Sequence, residues 1–411
     1  MLSIKEHRLL EQITALGEIG RDEGGKRTRL AASDADKAGR DALVAWMEEA
    51  GLQVVVDRIG NVFGIWETPE NKDQAPLMIG SHIDTVINAG QYDGCYGVIA
   101  GIEVIRTLKE EVYTPSRPIA VVAFTNEEGV RYSPDMMGSL VYAGGLSVDE
   151  ALASVGTDGT VLGEELKRIG YEGTVEPGFI KPHAFLELHI EQGPILEAEG
   201  TPIGAVHDLQ GISWQRITIE GVANHAGTTP TAMRIDAGLA AARVITFLRD
   251  RCDSSNASTV ATVGCIELEP NAINVIPSKA IFTVDLRNPD EEKLKGEETA
   301  LANYLKELEK TDKVKISTER LVRFEPVLFD KGIVELVENA AKERGFASRR
   351  ITSGAGQDAQ MIARMCPAAM IFVPSAKGIS HNPEEYTTDE DLIAGANVFL
   401  DVVIKLSGAK K

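Results

Sequence analysis

The segment GSHIDTVINAGQYDG, from Gly80 to Gly94, combines one imidazole with two carboxylates between glycines. His82 and Asp84 are two positions apart, so on a strand their side chains point to the same side of the sheet. A metal-bound imidazole usually donates its second N–H group to a neighbouring acceptor, and Asp84 is placed to be that acceptor. Asp93 is a candidate anionic ligand, and Gly94 lets the backbone approach a shared centre. The alternative is a solvated polar loop.

Three further segments place polar side chains where apolar runs end. FTNEEG carries Glu127 and Glu128 side by side, and successive side chains of an extended chain point in opposite directions. One carboxylate can therefore face a metal while the other faces a water. ELHIEQG carries His189 with Glu191 on the same side, and GISHNPEE carries His381. Singly, each fits a surface histidine or a charged loop, but three of the seven histidines at such positions indicate a shared site.

This set of side chains points to metal-dependent hydrolysis. Three imidazoles with two or three carboxylates suit two borderline ions, such as zinc, manganese, cobalt or nickel, whereas all-oxygen sites suit magnesium or calcium. Two ions about 3.5–4 Å apart, bridged by a carboxylate, can polarise a carbonyl and lower the pKa of a water between them. A carboxylate that binds neither ion can take the proton from that water and pass it to a leaving nitrogen. The expected reaction is hydrolysis of an amide or a ureide.

The elements that must position these residues follow an α/β pattern, with a largely parallel sheet flanked by helices. Helices are predicted at DALVAWMEEAG and VIAGIEVIRTLKEE, and strands at PLMIGSH, PIAVVAFTNEE, FLELHIEQG and AAMIFVPS. The four strands are nearly continuous apolar runs, as expected of strands buried on both faces. All four end in polar residues, and in open α/β sheets ligands bind beyond the carboxyl ends of the strands. The candidate ligands are therefore expected to meet at one edge of the sheet.

The stretch from about Gly211 to Pro326 has a different order of elements. Its patterns read strand, helix, two strands, helix and strand, with the two middle strands at STVATVGCIEL and KAIFTVDLRN. This β-α-β-β-α-β order is typical of a ferredoxin-like α+β unit that can fold as a small domain. The sequence therefore predicts a catalytic domain formed by residues 1–210 and 327–411, with residues 211–326 inserted between its two parts.

Composition excludes several classes of protein. The chain has 411 residues, 43% of them hydrophobic and 25% charged, which is enough for a large core and two domains. A formal charge of −20 would repel a phosphate backbone, so nucleic acid is not an expected partner. Neither end resembles a secretory signal, and no apolar run approaches the roughly 18 residues of a membrane span. We therefore expect a soluble, cytoplasmic protein without a membrane partner, whose four scattered cysteines are buried apolar residues.

Nine short strings, in order along nearly the whole chain, carry a resemblance to a known family. They are GSHIDTV, GQYDGCYGV, TNEEGVRY, ELHIEQGPILE, ANHAGTTP, PNAINVIP, VDLR, SGAGQDAQ and GISHNPEE. The chain resembles the dinuclear-metal aminoacylase and carboxypeptidase superfamily. Within it, the chain is similar to the branch of N-carbamoyl-L-amino acid hydrolases, allantoate amidohydrolases and β-ureidopropionases. One such string would be weak, but nine in order are highly specific.

The resemblance implies two divalent ions held by five ligands, which are His82, Asp93, Glu128, His189 and His381. It implies that His82 and Glu128 hold one ion, that Asp93 bridges the two sites, and that His189 and His381 complete the pair. It also implies that Glu127 is the general base and that Asp84 is the partner of His82. The spacing of the residues alone leaves open which of Glu127 and Glu128 binds metal.

The same resemblance implies that the inserted domain is a lid and the module that forms a homodimer. His225 in GVANHAGTTP would reach the active site of the partner subunit and stabilise the oxyanion of the tetrahedral intermediate. Arg287 could bind a substrate carboxylate through two parallel hydrogen bonds, while Asn274 and Gln192 fit a ureido group. The backbone N–H groups of SGAGQDA, including that of Gly356, could bind an anion. The alternatives are a histidine bonded to its own loop, a solvated ion pair and ordinary turn residues.

Two departures from the family pattern bear on the substrate. Gln357 stands where many relatives have the histidine of GAGHDA, and Leu140 follows GS where a polar residue is common. Neither position is a ligand in the family pattern, so the expected chemistry is unchanged. LQGISWQRITIEG, with Trp214 early in its strand, resembles carbamoylases more than allantoate enzymes, which favours N-carbamoyl-L-amino acids as small-molecule substrates, with allantoate or a β-ureido acid as the alternatives. A non-catalytic metal- or ligand-binding protein on the same scaffold ranks last, because every ligand-type residue is present.

Overall fold

The computed structural model describes residues 1–254 and 259–411. The chain forms two compact units, one made of Met1–His207 with Leu328–Lys411 and the other of Asp208–Val327. The segment expected to be inserted, residues 211–326, lies within the second unit. Among the residues that the structure describes, no helix is long and apolar enough to cross a bilayer.

The first part of the larger unit alternates helices and strands. Its elements are α1 (Glu6–Glu18), α2 (Asp34–Glu49), β1 (Gln53–Val56), β2 (Val62–Trp66), β3 (Leu77–His82), α3 (Cys95–Glu110), β4 (Ile119–Phe124), α4 (Met137–Tyr142), α5 (Val148–Leu152), α6 (Leu162–Ile169), β5 (Ala184–Ile190), α7 (Ile195–Glu199) and β6 (Ile203–Leu209). Helix starts follow local signals in the sequence. The Ser33 hydroxyl accepts the N–H of Asp36 before α2, and Ser147 and Glu150 form a capping box before α5.

The smaller unit is an antiparallel sheet covered by two helices. Its elements are β7 (Gly211–Glu220), α8 (Ala237–Ser254), β8 (Val260–Thr262), β9 (Ile266–Glu269), β10 (Lys279–Asn288), α9 (Glu291–Thr311) and β11 (Lys315–Phe324). The strand order is β11-β7-β10-β8, and β9 also pairs with β10. This is the order of a ferredoxin-like unit. Every second residue of β10 is buried, and Phe282 shares a core with Val244 of α8 and Leu301 of α9.

The strand predicted at STVATVGCIEL is two strands in the structure. Its first residue, Ser258, lies outside the described residues. Thr262 of β8 pairs with Asp285, whereas Ile266 of β9 pairs with Phe282, so one more residue lies on this side of the ladder than on β10. An extra unpaired residue is the geometry of a β-bulge, which divides the predicted strand.

The rest of the larger unit follows the smaller one in the chain. Its elements are β12 (Val327–Leu328), α10 (Lys331–Glu343), β13 (Ser348–Ser353), α11 (Asp358–Ile362), β14 (Ala368–Val373) and α12 (Asp389–Ser407). The hydroxyl of Thr388 accepts the N–H of Asp391 and starts α12. This helix packs against β14, β5 and α3, so the last helix of the chain completes the layer that covers the central strands.

The sheet of the larger unit has the strand order β1-β2-β4-β3-β5-β14-β6-β12, and β13 pairs with β6. The four predicted strands are present as β3, β4, β5 and β14, and they form a parallel centre. The flanking strands β1, β2 and β6 pair in antiparallel fashion. The sheet is therefore mixed, whereas the sequence predicted a largely parallel one. Apolar runs identify strands buried on both faces, but they carry no signal for the direction of the strands at the flanks.

The four cysteines are free, but the expectation that all are buried is wrong. Cys95, the first residue of α3, is buried, Cys252 and Cys366 are partly exposed, and Cys265 is exposed. Cys265 lies between β8 and β9, where the bulge turns the chain away from regular pairing.

Candidate metal centre

Polar residues that follow the central strands come together at one edge of the sheet. His82 is the last residue of β3 and lies beside Phe124, the last residue of β4. His189 of β5 lies beside Phe372 of β14. Because these strands are parallel neighbours, their carboxyl ends also bring the loops beyond β4 and β14 to this edge. The loop beyond β14 carries His381.

One group of side chains consists of His82, Asp93 and His189, whose candidate ligand atoms lie within 4.8 Å of one another. His82 Nε2 is 3.5 Å from Asp93 Oδ1, and His189 Nε2 is 3.2 Å from the same oxygen. Gly94 makes this approach possible, because a Cβ at this position would lie 2.4 Å from His82 Nε2. Its φ of 64° also favours glycine at the start of α3. All three candidate ligands are buried, so they could hold an ion away from bulk solvent.

A second group consists of Asp93, Glu128 and His381. His381 Nε2 is 3.2 Å from Asp93 Oδ2 and 3.3 Å from Glu128 Oε2. Asp93 thus presents one oxygen to each group, which is the position of a bridging carboxylate. The resemblance paired His82 with Glu128, but the structure groups them differently. His82 and His189 come together because they lie on adjacent strands, whereas Glu128 and His381 come from loops beyond the strands.

Both buried imidazoles turn one nitrogen toward the backbone and the other toward Asp93. His82 Nδ1 is 3.0 Å from the main-chain oxygen of Asp84, and His189 Nδ1 is 2.9 Å from that of Ile190. A carbonyl oxygen only accepts, so each Nδ1 carries the proton and each Nε2 presents a lone pair, which in His189 accepts the N–H of Gly94 at 3.1 Å. Within the part of the chain that the structure describes, His82 Nε2 is buried without a hydrogen-bond partner. A metal ion would satisfy this atom, and the mixed imidazole and carboxylate donors suit a transition metal.

Asp84 accepts hydrogen bonds at the candidate metal centre through both its main-chain carbonyl and its side-chain carboxylate. Its carbonyl accepts the His82 ring proton, whereas its carboxylate Oδ1 is 3.9 Å from His82 Nδ1. The carboxylate instead accepts the N–H groups of Glu127 and Glu128, each at 3.2 Å. The partner of His82 is therefore the Asp84 carbonyl and not the carboxylate that the spacing indicated. The carboxylate holds the segment that carries both glutamates.

The electrostatics of the centre favour a cation. Burial raises the pKa of Glu127 well above its usual value and that of Glu128 to about 8. Burial also raises the pKa of nearby Asp358 to about 8. Burial acts in the same direction on Asp93, but the imidazoles of His189, His381 and His82 around it hold the pKa of that carboxyl well below its usual value. Carboxyl groups that are costly to ionise in this confined space would be stabilised in their charged forms by a divalent cation.

Gln192 and Gln357 form a chain of amides that ends at the centre. Gln357 Nε2 donates to Gln192 Oε1 at 2.8 Å, and Gln192 Nε2 donates to Asp93 Oδ2 at 2.8 Å. Gln192 Nε2 is also 3.4 Å from His381 Nε2. Gly356 lies beside this chain, and a Cβ there would be 2.9 Å from the Cε atom of Met136. Gln357, which the sequence marked only as a departure from the family pattern, therefore determines which end of the Gln192 amide faces Asp93.

Three of the residues expected to bind substrate lie in the smaller unit. The Nδ1 atom of His225 accepts the N–H groups of Gly227 and Thr228, which leaves its Nε2–H as a donor. Asn274 is exposed, and its carbonyl accepts the N–H of Ala226, so the segments of His225 and Asn274 lie side by side. Arg287 is paired with Asp285, with 2.9 Å between Nη2 and Oδ2.

Two further residues at the centre were missed by sequence reasoning. Ser380 Oγ is 3.1 Å from Asp93 Oδ2, and the Glu385 carboxylate accepts the N–H of Asp93 at 3.3 Å. Both lie in the GISHNPEE string, next to the candidate ligand His381. The available signal was proximity in sequence to that histidine, but no local pattern shows which polar residues of such a loop turn inward.

The amino-acid sequence matches a known family. Residues 78–405 match the family described as Peptidase family M20/M25/M40. The chain belongs to this family, which confirms the relationship predicted from the nine strings.

Individual relatives match almost the whole chain. An N-carbamoyl-L-amino-acid amidohydrolase from Rhizobium meliloti is 39% identical, over 98% of this chain and 96% of the relative. An allantoate amidohydrolase from Bacillus subtilis (strain 168) is 34% identical, over 99% of this chain and 98% of the relative. The solved structure of an amidase of the hydantoinase/carbamoylase family from Burkholderia multivorans is 42% identical, with a TM-score of 0.95, and covers 99% of this chain and 98% of that one.

Proposed function

We propose that this protein hydrolyses N-carbamoyl-L-amino acids to the amino acid, ammonia and carbon dioxide, using two divalent ions and one water per turnover. The chain is a hydrolase that acts on carbon–nitrogen bonds other than peptide bonds, the class to which its similar relatives belong by name. The observation that carries the mechanism is the arrangement around Asp93. Its two oxygens face two separate ligand groups, while the buried carboxyl of Glu127 stands beside them and belongs to neither.

The ligand groups define which residues would hold the ions. His82 and His189 would bind one ion and Glu128 and His381 the other, with Asp93 shared. When bound, the ions supply Lewis acidity, which polarises the ureido carbonyl and makes a nearby water more acidic. The donor set fits zinc, manganese, cobalt or nickel.

Glu127 is the proposed general base. Its Oε2 is 3.4 Å from His82 Nε2, so its carboxyl faces the first ligand group. It takes the proton of the attacking water and delivers it to the leaving nitrogen of the ureido group. Burial raises the pKa of Glu127, which suits a group that must hold a proton between these two steps. Asp84 keeps the glutamate segment in place by accepting its backbone N–H groups.

Amide, imidazole and guanidinium side chains are proposed to bind the substrate. Gln192, oriented by Gln357, directs N–H donors toward the centre. We propose that His225 donates its Nε2–H to the developing oxyanion and that Asn274 and Arg287 bind the ureido group and the carboxylate of the substrate. Homodimer formation through residues 211–326 belongs to the same proposal. The free Nε2–H of His225 supports its role as a hydrogen-bond donor to the oxyanion, because the loop already uses the other ring nitrogen.

Allantoate is the competing substrate. The 34% identical allantoate amidohydrolase supports this alternative, whereas two relatives of higher identity, 39% and 38%, are named N-carbamoyl-L-amino acid amidohydrolases. The test measures kcat/KM for a panel of N-carbamoyl-L-amino acids, N-carbamoyl-β-alanine and allantoate, after loading with manganese, cobalt or zinc. A higher kcat/KM for allantoate would replace the proposal with the alternative, and no turnover of any ureido compound would remove both.

A further inference from the structure

Glu385 is a buried carboxylate that links two segments of the candidate metal centre far apart in sequence. It is 6% exposed and follows β14 in the same loop as His381. Its Oε1 accepts the N–H of Tyr92 at 3.0 Å and that of Asp93 at 3.3 Å, across a separation of 293 and 292 residues. The backbone at the proposed bridging ligand Asp93 is therefore held by a residue from near the other end of the sequence.

The second oxygen of Glu385 holds the segment of the other ligand. Glu385 Oε2 accepts the hydroxyl of Ser380 at 2.9 Å, and the same hydroxyl oxygen is 3.1 Å from Asp93 Oδ2. The Glu385 N–H donates to the carbonyl of Asn382 at 3.0 Å, which closes a turn directly after His381. His381 has a φ of 53°, in the left-handed region, and a non-glycine residue persists there only when its surroundings hold it.

The backbone at Gly90 is shaped to admit this carboxylate. A Cβ at Gly90 would lie 2.2 Å from Glu385 Oε1, closer than any real contact allows. The link thus depends on a carboxylate from one loop and on the absence of a side chain in the other. Neither Glu385 nor Gly90 has a role in the proposed reaction.

We infer that Glu385 is a positioning residue that sets the affinity of the ligand group Asp93, Glu128 and His381 for its ion. The inference rests on the proposed metal centre. Glu385 fixes the Asp93 backbone on one side and both sequence neighbours of His381 on the other, so its loss lets the two ligands move independently. Residues that orient metal ligands typically contribute about 10–100-fold to metal affinity.

The experiment titrates the full-length chain, freed of metal by a chelator, with Mn²⁺ in a calorimeter. Glu385→Ala is expected to weaken the binding of one of the two ions by about 10–100-fold. Turnover of this variant at low Mn²⁺ should fall and should recover when Mn²⁺ is raised. Glu385→Gln should stay close to wild type, because its amide oxygen can accept the two backbone N–H groups while its amide nitrogen donates to Ser380. Gly90→Ala, which displaces the carboxylate, should weaken binding as Glu385→Ala does.

Glu103 offers a matched control. It is a fully buried glutamate on α3 that likewise accepts a backbone N–H from a distant segment, that of Lys5 at 2.8 Å, and it contacts no candidate ligand. Glu103→Ala should lower the melting temperature and leave Mn²⁺ affinity unchanged. Equal loss of affinity in Glu103→Ala and Glu385→Ala would show a merely structural role and overturn the inference. Wild-type affinity in Gly90→Ala would overturn it too, including the case in which Glu385→Ala does not fold. Absence of Mn²⁺ binding by the wild-type chain would instead refute the proposed metal centre.

Discussion

Replacing Glu127 by glutamine tests the assignment of the general base, because the change keeps the size of the side chain and removes proton transfer. Two neighbouring carboxyl groups already have other roles in the structure. Glu128 belongs to a ligand group, and the two oxygens of Asp84 already accept backbone N–H groups. Loss of a positioned general base typically costs about 10²–10⁴-fold in rate. We expect the upper part of this range, and a 10⁴-fold loss corresponds to about 5.4 kcal/mol in the activation barrier.

The assay compares kcat with metal content in the same preparation. Glu127→Gln should bind as much metal as the wild-type chain, and added metal should not restore its turnover. Glu128→Gln is the matched control, because it removes a proposed ligand from the neighbouring position. This variant should bind metal more weakly and recover part of its turnover when metal is in excess. A Glu127→Gln protein with normal metal content and normal kcat would refute the reasoning.

Four further predictions concern the metal ions, Gln357, His225 and the buried Asp57. Each metal ion at 100 times its Kd should stabilise the fold by about 2.7 kcal/mol, which raises Tm by about 3 °C for a chain of this size, and His189→Ala should reduce this shift in a thermal melt. Gln357→Leu leaves the partly buried Gln192 Oε1 without its donor and should lower kcat/KM by about 5–150-fold, as expected for about 1–3 kcal/mol, whereas Gln357→His, which keeps a donor, should lower it less. His225→Ala should lower kcat by about 10²–10³-fold without loss of metal, and mixing it with Glu127→Gln should restore part of the turnover if the histidine acts across a dimer. Burial raises the pKa of Asp57 to about 7, so its stabilising contribution is complete below pH 3.8 and is lost as the pH rises through 7; Asp57→Asn should therefore reduce the fall in Tm between pH 6 and pH 8, and an unchanged slope would contradict this.

The central strands and the convergence of their ends could be predicted from the sequence because both follow from local patterns. Apolar runs of the right length form β3, β4, β5 and β14, and parallel order places the residues that follow them at one edge. The positions of His82 and His189 followed from this alone. The directions of the flanking strands did not, because the apolar pattern is the same for either direction.

The grouping of the ligands required the tertiary structure. Glu128 and His381 lie in loops, and only the path of those loops decides that they face each other across Asp93. The same limit explains the role of the Asp84 carbonyl, since side-chain spacing says nothing about main-chain acceptors. Glu385 was missed because its partners lie almost 300 positions away, at a distance that no motif spans.

The account depends most on the claim that Asp93 is shared by two metal ions. Anomalous diffraction from a crystal of the full chain grown with Mn²⁺ tests it directly. The expected map shows two peaks about 3.5–4 Å apart, one on each side of the Asp93 carboxylate, with His82 and His189 at one peak and Glu128 and His381 at the other. A map with no peak next to Asp93, in a crystal that contains Mn²⁺ at other positions, would contradict the account.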